Sequence, residues 1–382
     1  MRTTGTYATS TTLGEAVQAF VPLPLPPSEP VLAPVCFEAG NRVAELALAR
    51  LSGVSGLVPS VDWLLYSAVR KEALLTSQIE GTQATLIDLF DDEAGFAIGN
   101  ADDVEEVTNY LRAFRLVQDN LRDPAGLPIS VRLLCDAHRL LLNGVRGSGK
   151  QPGELRRSQN WIGGARPGNA AFVPPPADRV ADLLADVERF IHADTAPELP
   201  PLVKIALVHA QFETIHPFLD GNGRIGRLLI AALMEHWRLL PEPLMYLSAY
   251  LKQHQSAYYQ QLSAIRTQGD WEGWVSFFLE GVAAAASEAE RGIVAIASLI
   301  AADRRRLLAS PKAGPASYRL FETLPLMPRF TVELARQKLN TSFPTANAAV
   351  KLLEDLGIVS ELTGQKKNRS YSYQAYIELM TR

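Results

Sequence analysis

From Glu38 onward, apolar side chains recur at intervals of three and four. Val43, Leu46, Ala47 and Leu51 form one such stripe, and Trp63 to Leu75 carries another. This spacing predicts amphipathic helices. Similar stripes predict helices over roughly 102–121, 129–143, 177–193, 200–214, 223–239 and 250–266, and a long one over roughly 273–308. Strand-like patterning is sparse. The exception is Ser158 to Val173, where Asn160-Trp161-Ile162-Gly163-Gly164 and Ala170-Ala171-Phe172-Val173 flank a Gly/Pro-rich turn, as in a hairpin. Pro174 to Pro176 end it. Residues 1–35 are Thr- and Pro-rich, and Pro22 to Pro27 cannot form a helix interior, so an extended lead-in is expected there.

Pro311 to Pro315 reads as a linker, and the chain beyond it changes character. Thr331–Leu339 and Thr345–Leu356 predict two short helices, with Gly357 suited to a C-cap. Ile358–Leu362 and Ser370–Tyr373 then predict strands. Helix, helix, hairpin is the order of a winged helix. The expected fold is therefore mainly α, with a small α+β domain at the C-terminal end. The expected divisions are a lead-in at 1–35, a helical region at 36–100, a core at 101–310 and a winged-helix domain at 316–382.

Composition narrows the classes. The chain has 382 residues, 47% of them hydrophobic, and a net charge of −4, so the whole molecule is not a binder of polyanions. The piece from Pro311 to Arg382 differs, with ten Lys/Arg against six Asp/Glu. Cys36 and Cys135 stand far apart in no metal-like spacing, which argues for a reducing compartment and against a disulfide scaffold. No apolar run reaches membrane-spanning length and no signal-peptide pattern opens the chain, so a cytoplasmic protein with no membrane association is expected.

The candidate chemistry concentrates in His216-Pro217-Phe218-Leu219-Asp220-Gly221-Asn222-Gly223-Arg224-Ile225-Gly226-Arg227. Pro217 disfavours the α-region at His216, so the preceding helix should stop there. Gly221 to Gly223 would turn the chain into the next helix, with backbone N–H groups and the helix dipole converging on an anion. Arg224 and Arg227 lie three apart on one face of its first turn. Asp220 is a lone carboxylate, suited to Mg²⁺ that arrives with nucleotide phosphates. His216 is the nearby group whose ordinary pKa suits a base near neutrality.

These twelve residues resemble the Fic-domain signature H-x-F-x-D/E-G-N-G-R-x-x-R at every fixed position. The resemblance implies transfer of AMP from ATP to a Ser, Thr or Tyr hydroxyl of a target protein, or of the chain itself. It makes His216 the general base and Asp220 the Mg²⁺ ligand. Gly221, Asn222 and Gly223 would cradle the phosphates, Arg224 and Arg227 would grip the β and γ groups, and Phe218 would anchor the loop.

Thr76-Ser77-Gln78-Ile79-Glu80-Gly81 resembles the family's inhibitory motif S/T-x-x-x-E-G/N. In that reading Glu80 pairs with Arg227 in bidentate fashion and denies it to the γ-phosphate. Gly153 to Gly164 with Phe172 to Pro176 resembles the Fic flap, whose Trp161, Ile162, Gly163, Gly164, Phe172 and Val173 would register a target strand. Tyr250, Gln253, Tyr258 and Tyr259, with Gln211 in the helix before His216, resemble the segments that reach the nucleotide's base and ribose. His138, His192, His209, His236 and His254 show no paired ligand spacing and read as structural.

The leading expectation is thus an autoinhibited protein adenylyltransferase. De-AMPylation by the same site is an alternative, with Glu80 placing a water. A DNA-binding regulator whose core senses nucleotide is another. In the winged helix the second helix would enter DNA, yet Asn347 and Lys351 are joined there by Glu354 and Asp355, while Lys366, Lys367 and Arg369 sit on the wing. A protein-docking or homodimer role is the competing reading of that domain.

Overall fold

The computed structural model describes residues 2–28, 30–193, 199–365 and 369–381. Its N-terminal end departs from the expected lead-in. β1 (Gly5–Thr12) and β2 (Glu15–Pro22) pair antiparallel, in register from Gly5 opposite Pro22 to Thr12 opposite Glu15. Leu13 and Gly14 form the turn, both at positive φ, as a two-residue hairpin loop requires. Only β2 is apolar enough to bury side chains, chiefly Val17, Ala19, Phe20 and Val21. The Thr-rich β1 lies outside it, which is why composition suggested a lead-in.

The helical body then follows: α1 (Glu38–Val54), α2 (Val61–Ile79), α3 (Leu86–Glu93), α4 (Ala101–Arg122), α5 (Val131–Leu141), α6 (Val180–His192), α7 (Pro201–Ile215), α8 (Asn222–His236), α9 (Leu247–Gln253), α10 (Gln255–Gln268) and α11 (Trp271–Ala309). α11 is about 58 Å long at 1.5 Å per residue, and α1 lies along it. α7 is apolar almost all round and forms the centre of the core, as a helix buried on every face must. The single helix expected over 250–266 divides at His254 into α9 and α10. α3 escaped the periodicity because it is short and acidic. A capping box, in which Thr85 and Asp88 exchange hydrogen bonds, starts it.

The expected flap hairpin is narrower than two full strands. Ile162 and Phe172 form one antiparallel bridge around positive-φ Gly163 and Gly164 and a 3₁₀ turn at Pro167–Asn169. The Phe20 N–H donates to the Val173 carbonyl at 2.9 Å, so β2 lies along one edge of the flap.

Beyond the linker come α12 (Pro315–Thr323), β3 (Arg329–Thr331), α13 (Val332–Leu339), α14 (Phe343–Asp355), β4 (Ser360–Glu361), β5 (Ser370–Ser372) and α15 (Gln374–Thr381). The strands form one antiparallel sheet in the order β3-β5-β4. The expected helix–helix–hairpin order is present, with a strand ahead of it and a helix after it. Lys366 and Lys367 lie outside the described residues. The unit is tied to the helical body. Tyr373 donates to Asp303 of α11 at 2.8 Å, Tyr376 to the Trp63 carbonyl of α2 at 3.3 Å, and Arg329 pairs with Asp91 of α3 at 2.8 Å.

Candidate active site

α7 ends where Pro217 requires. His216 caps it in the left-handed conformation at φ 50°, and Gly221 takes φ 76° one residue before α8 begins. Between them the loop closes on itself. The Phe218 N–H donates to Asn222 Oδ1 and Asn222 Nδ2 donates back to the Phe218 carbonyl, both at 2.8 Å. The Phe218 ring is buried, as expected of an anchor, and stacks on His138 at 3.9 Å.

Two residues without an assigned role hold this loop from outside. His138 Nδ1 accepts from the Gly153 N–H at 2.9 Å, so its Nε2 carries the proton and donates to the Asp220 carbonyl at 3.0 Å. Burial lowers its pKa to about 4 and keeps it neutral. Arg156 is buried below the flap. It donates from Nε to the His216 carbonyl at 2.8 Å and from Nη2 to the Pro175 carbonyl at 2.5 Å. Burial lowers this guanidinium to about 10, leaving it cationic. No sequence spacing links either residue to the motif; only the packing of α5 and the flap does.

Both motif arginines are buried and neutralised by distant helices. Arg224 pairs with Glu106 of α4, an acid absent from the sequence reading, and lies 3.6 Å from Asp220. Arg227 donates from Nη2 to Glu80 Oε1 at 2.6 Å and to the Thr76 carbonyl at 3.0 Å, and from Nε to Thr76 Oγ1 at 2.5 Å. The expected bidentate pair is thus a single carboxylate contact, with Thr76 taking Nε and sharing Nη2. Burial alone would lower the Arg227 guanidinium, but Glu80 outweighs it and raises it. Burial alone would raise the Glu80 carboxyl, but Arg227, Arg224 and His216 hold it below its ordinary value. α2 ends at Ile79, and Gly81 follows Glu80 at φ 100°, a conformation that favours glycine. The Glu80 carboxylate lies so close to Gly223 that a Cβ there would meet Oε1 at 2.2 Å.

Asp220 presents a partly exposed carboxylate whose Oδ1 accepts from the Gly221 N–H at 2.6 Å. Among the described residues no three His, Cys, Asp or Glu converge as a metal cage. His216 is held neutral, its pKa lowered to about 4 by burial and then by Arg156, against the opposing pull of the Glu213 backbone and of the Glu80 carboxylate.

The expected base-pocket residues divide. Tyr258 is buried, and its hydroxyl bonds His209 Nε2 at 2.8 Å while His209 Nδ1 faces the Gly226 carbonyl at 3.1 Å, so both rings belong to the core under α8. Gln211 donates to the Leu23 carbonyl at 2.8 Å and fastens the N-terminal hairpin. Gln253 and Tyr259 are exposed, and Tyr259 lies near Glu80. Gln255, which the sequence reading passed over, donates to the Ile79 carbonyl at 3.2 Å.

Comparison with known proteins agrees with this geometry. The model described as "Fic/DOC family N-terminal" matches residues 41–119, and that described as "Fic/DOC family" matches 128–234. Proteins named "Protein adenylyltransferase Fic" from Drosophila ananassae and Drosophila melanogaster are each 30% identical over 154 residues, 40% of this chain. The match spans 28% of those relatives' length. A Fic family protein from Desulfovibrio desulfuricans G20 superposes with a TM-score of 0.53 at 21% identity, covering 86% of this chain and 95% of that one. Fic-1 from C. elegans (residues 134–508) gives a TM-score of 0.51 at 21% identity, covering 67% and 72%. The chain carries a Fic/DOC family N-terminal region over residues 41–119 ahead of a Fic/DOC family domain over 128–234, which holds the motif loop and most of α8.

Proposed function

We propose that the chain is a protein adenylyltransferase whose resting state is braked by Glu80. One observation carries this reading. A carboxylate of the chain itself fills the space between Gly223 and the buried Arg227, where a glycine cradle and a guanidinium would otherwise receive a phosphate. Nucleotide would enter with its terminal phosphate in place of Glu80, the β group near Arg224 and the α-phosphorus near His216.

The acceptor hydroxyl of a Ser, Thr or Tyr attacks the α-phosphorus. Its proton passes to His216, a new O–P bond forms, and pyrophosphate leaves. Asp220 fits Mg²⁺ bound jointly with phosphate oxygens, since it offers one carboxylate and no protein cage surrounds it among the described residues. The ion would offset phosphate charge. The flap's Asn160–Ile162 side would register an extended target segment, because β2 already lies along the Val173 side. Trp161, Gly163, Gly164 and Phe172 shape that ledge. Removal of AMP by the same site is a second reading, supported by the Glu80 side chain being about one third exposed at the cradle, where it can orient water.

The C-terminal unit is assigned as a winged helix. Its α14 sets Glu354 and Asp355 beside Lys351 and exposes Phe343, which favours docking to protein, a second copy included, over DNA. The test of the activity uses α-labelled ATP and Mg²⁺ with cell lysate. Wild type, Glu80→Gly and Glu80→Gly with His216→Ala are compared. Label on protein that is weak in wild type, strong in Glu80→Gly and lost in the double variant supports base and brake together. No label from any of the three would refute adenylyl transfer.

A further inference from the structure

One buried acid beside the motif has no part in the chemistry so far. Glu213 lies one helical turn before His216 on α7, and its side chain is 11% exposed. Its Oε2 faces His216 Nδ1 at 4.0 Å. His216 Nδ1 is buried without a hydrogen-bond partner, as is Glu213 Oε1, the oxygen turned to α8. A buried Nδ1–H left unpaired is costly unless it finds an acceptor when the site works, and the Glu213 carboxyl stands beside it.

The space for this acid is built by α8. A Cβ on Gly226 would meet Glu213 Oε1 at 2.5 Å, so the carboxyl occupies the side-chain position of the motif helix's own glycine. The surroundings are mixed in charge. Arg227 of α8 and Arg266 of α10 attract Glu213, while Glu80 of α2 repels it. Tyr258 of α10 lies near it, and His209 of α7 borders the same Gly226. Arg266 also stacks on Phe172 of the flap at 3.9 Å, so the acid sits between the motif and the target ledge.

We infer that Glu213 is a positioning residue for His216, accepting a hydrogen bond from its Nδ1–H so that Nε2 is the nitrogen that takes the acceptor's proton. This rests on the adenylyltransferase reading. The proton of the attacking hydroxyl moves to Nε2, the O–P bond forms and pyrophosphate departs. Glu213 itself takes no proton in this step, and its charge stabilises the imidazolium that results. A carboxylate behind an imidazole fixes the tautomer and orientation of a base in this way. Burial supports a role tuned to neutral pH: it raises Glu213 to about 7, with Arg227, Glu80 and Arg266 as smaller influences. The carboxyl therefore ionises as pH rises through neutrality, and the rate should rise with it.

The test is made on the full chain in the Glu80→Gly background, with Glu213→Gln, Glu213→Asp and Gly226→Ala. The first removes the charge and keeps the volume. The third displaces the carboxylate without altering it. Turnover is followed with α-labelled ATP from pH 5.5 to 9. His216 is followed separately by NMR without nucleotide, its signal assigned by loss in His216→Ala. Glu213→Gln and Gly226→Ala should lower kcat at neutral pH by about 10- to 100-fold, a share of the usual general-base contribution, with KM for ATP unchanged. They should also erase the rise near pH 7, and Glu213→Asp should restore part of both. Glu213 is itself protonated at the His216 midpoint, so the NMR comparison is made at pH 8, where the carboxyl is ionised and the ring neutral. There Glu213→Gln and Gly226→Ala should shift the His216 ring-nitrogen signals away from the Nδ1–H tautomer. Unchanged kcat and pH profile would overturn the inference, as would ring-nitrogen signals that neither variant moves. If the Glu80→Gly parent transfers no AMP, the functional reading fails, and the NMR comparison alone decides the pairing.

Discussion

Replacing Glu80 by Gly removes the carboxylate that both neutralises Arg227 and occupies the cradle. A carboxylate–guanidinium hydrogen bond of 2.6 Å to a buried cation contributes about 1.5–3 kcal/mol. Each 1.4 kcal/mol is about tenfold in an equilibrium constant. If nucleotide must displace this contact to reach Arg227, its removal should tighten ATP binding about 10- to 100-fold. The same change leaves Arg227 with Thr76 as its remaining hydrogen-bond partner, so the chain should lose stability by about the same 1.5–3 kcal/mol. The lower figure is favoured because the Glu80 side chain is one third exposed and its pair is partly screened. Calorimetric titration of Mg-ATP into Glu80→Gly and wild type, both carrying His216→Ala to stop turnover, measures the first effect. Urea denaturation without and with ATP measures the second, and ATP should recover the lost stability. Equal affinity in the two proteins would show that Glu80 and phosphate do not compete. Tighter binding with no loss of stability would show that the ion pair is not what holds the brake.

The remaining predictions concern the frame around that contact. Glu106→Gln leaves the buried Arg224 guanidinium with only the partly exposed Asp220, 3.6 Å away, as a charge partner and should destabilise the chain by about 3 kcal/mol, read from the urea midpoint. Gly221→Ala forces a Cβ into a left-handed conformation at φ 76° and against Leu141, so stability should fall by about 1–2 kcal/mol and AMP transfer with it. Asp220→Asn should raise the Mg²⁺ needed for half-maximal AMP transfer and leave the melting temperature near wild type, since its carboxylate is partly exposed. The Glu80 carboxyl is depressed in the fold, so its stabilisation is complete above its unfolded value of about 4.3 and is lost as pH falls through the folded value. Urea midpoints of wild type and Glu80→Gly should therefore differ at pH 7 and converge as pH falls through the folded value of Glu80, below about 4.3; a constant gap would count against the ion pair.

What the sequence revealed follows physical locality. The motif loop was legible because Pro217, Gly221 and Asn222 fix it by local rules: a stopped helix, a left-handed turn and a side chain closing on the backbone four residues away. The long helices were legible because apolar spacing is also local. The hairpin at Gly5–Pro22 was not, since half of it is Thr-rich and its register depends on packing against the flap. The partners of Tyr258 and Gln211 were not legible for a related reason. A tyrosine on an amphipathic helix carries no sign of whether its hydroxyl meets a ligand or, as here, His209. Glu106, His138 and Arg156 touch the motif from 60 to 118 residues away, a separation at which spacing in sequence says nothing.

That distance explains why the N-terminal helices belong to the site. A loop that gathers Arg224 and Arg227 at one helix start would bury two uncompensated cations, each a penalty of several kcal/mol. Glu106 of α4 offsets one permanently, from a position buried with it. Glu80 offsets the other from just past the end of α2, beside a left-handed glycine and with its carboxyl partly in solvent. The two acids differ in what their release would demand. Moving Glu106 would require repacking α4 against α8, whereas Glu80 follows the last turn of α2 with a partly exposed carboxylate, so its side chain can leave Arg227 while Thr76 and Ile79 stay buried. The arginine paired to the fixed acid is thus a constant part of the cradle. On the proposed reading, the one paired to the movable acid is available only when another anion takes the carboxylate's place, and the strength of that anion's hold on Arg227 would set how far Glu80 is displaced.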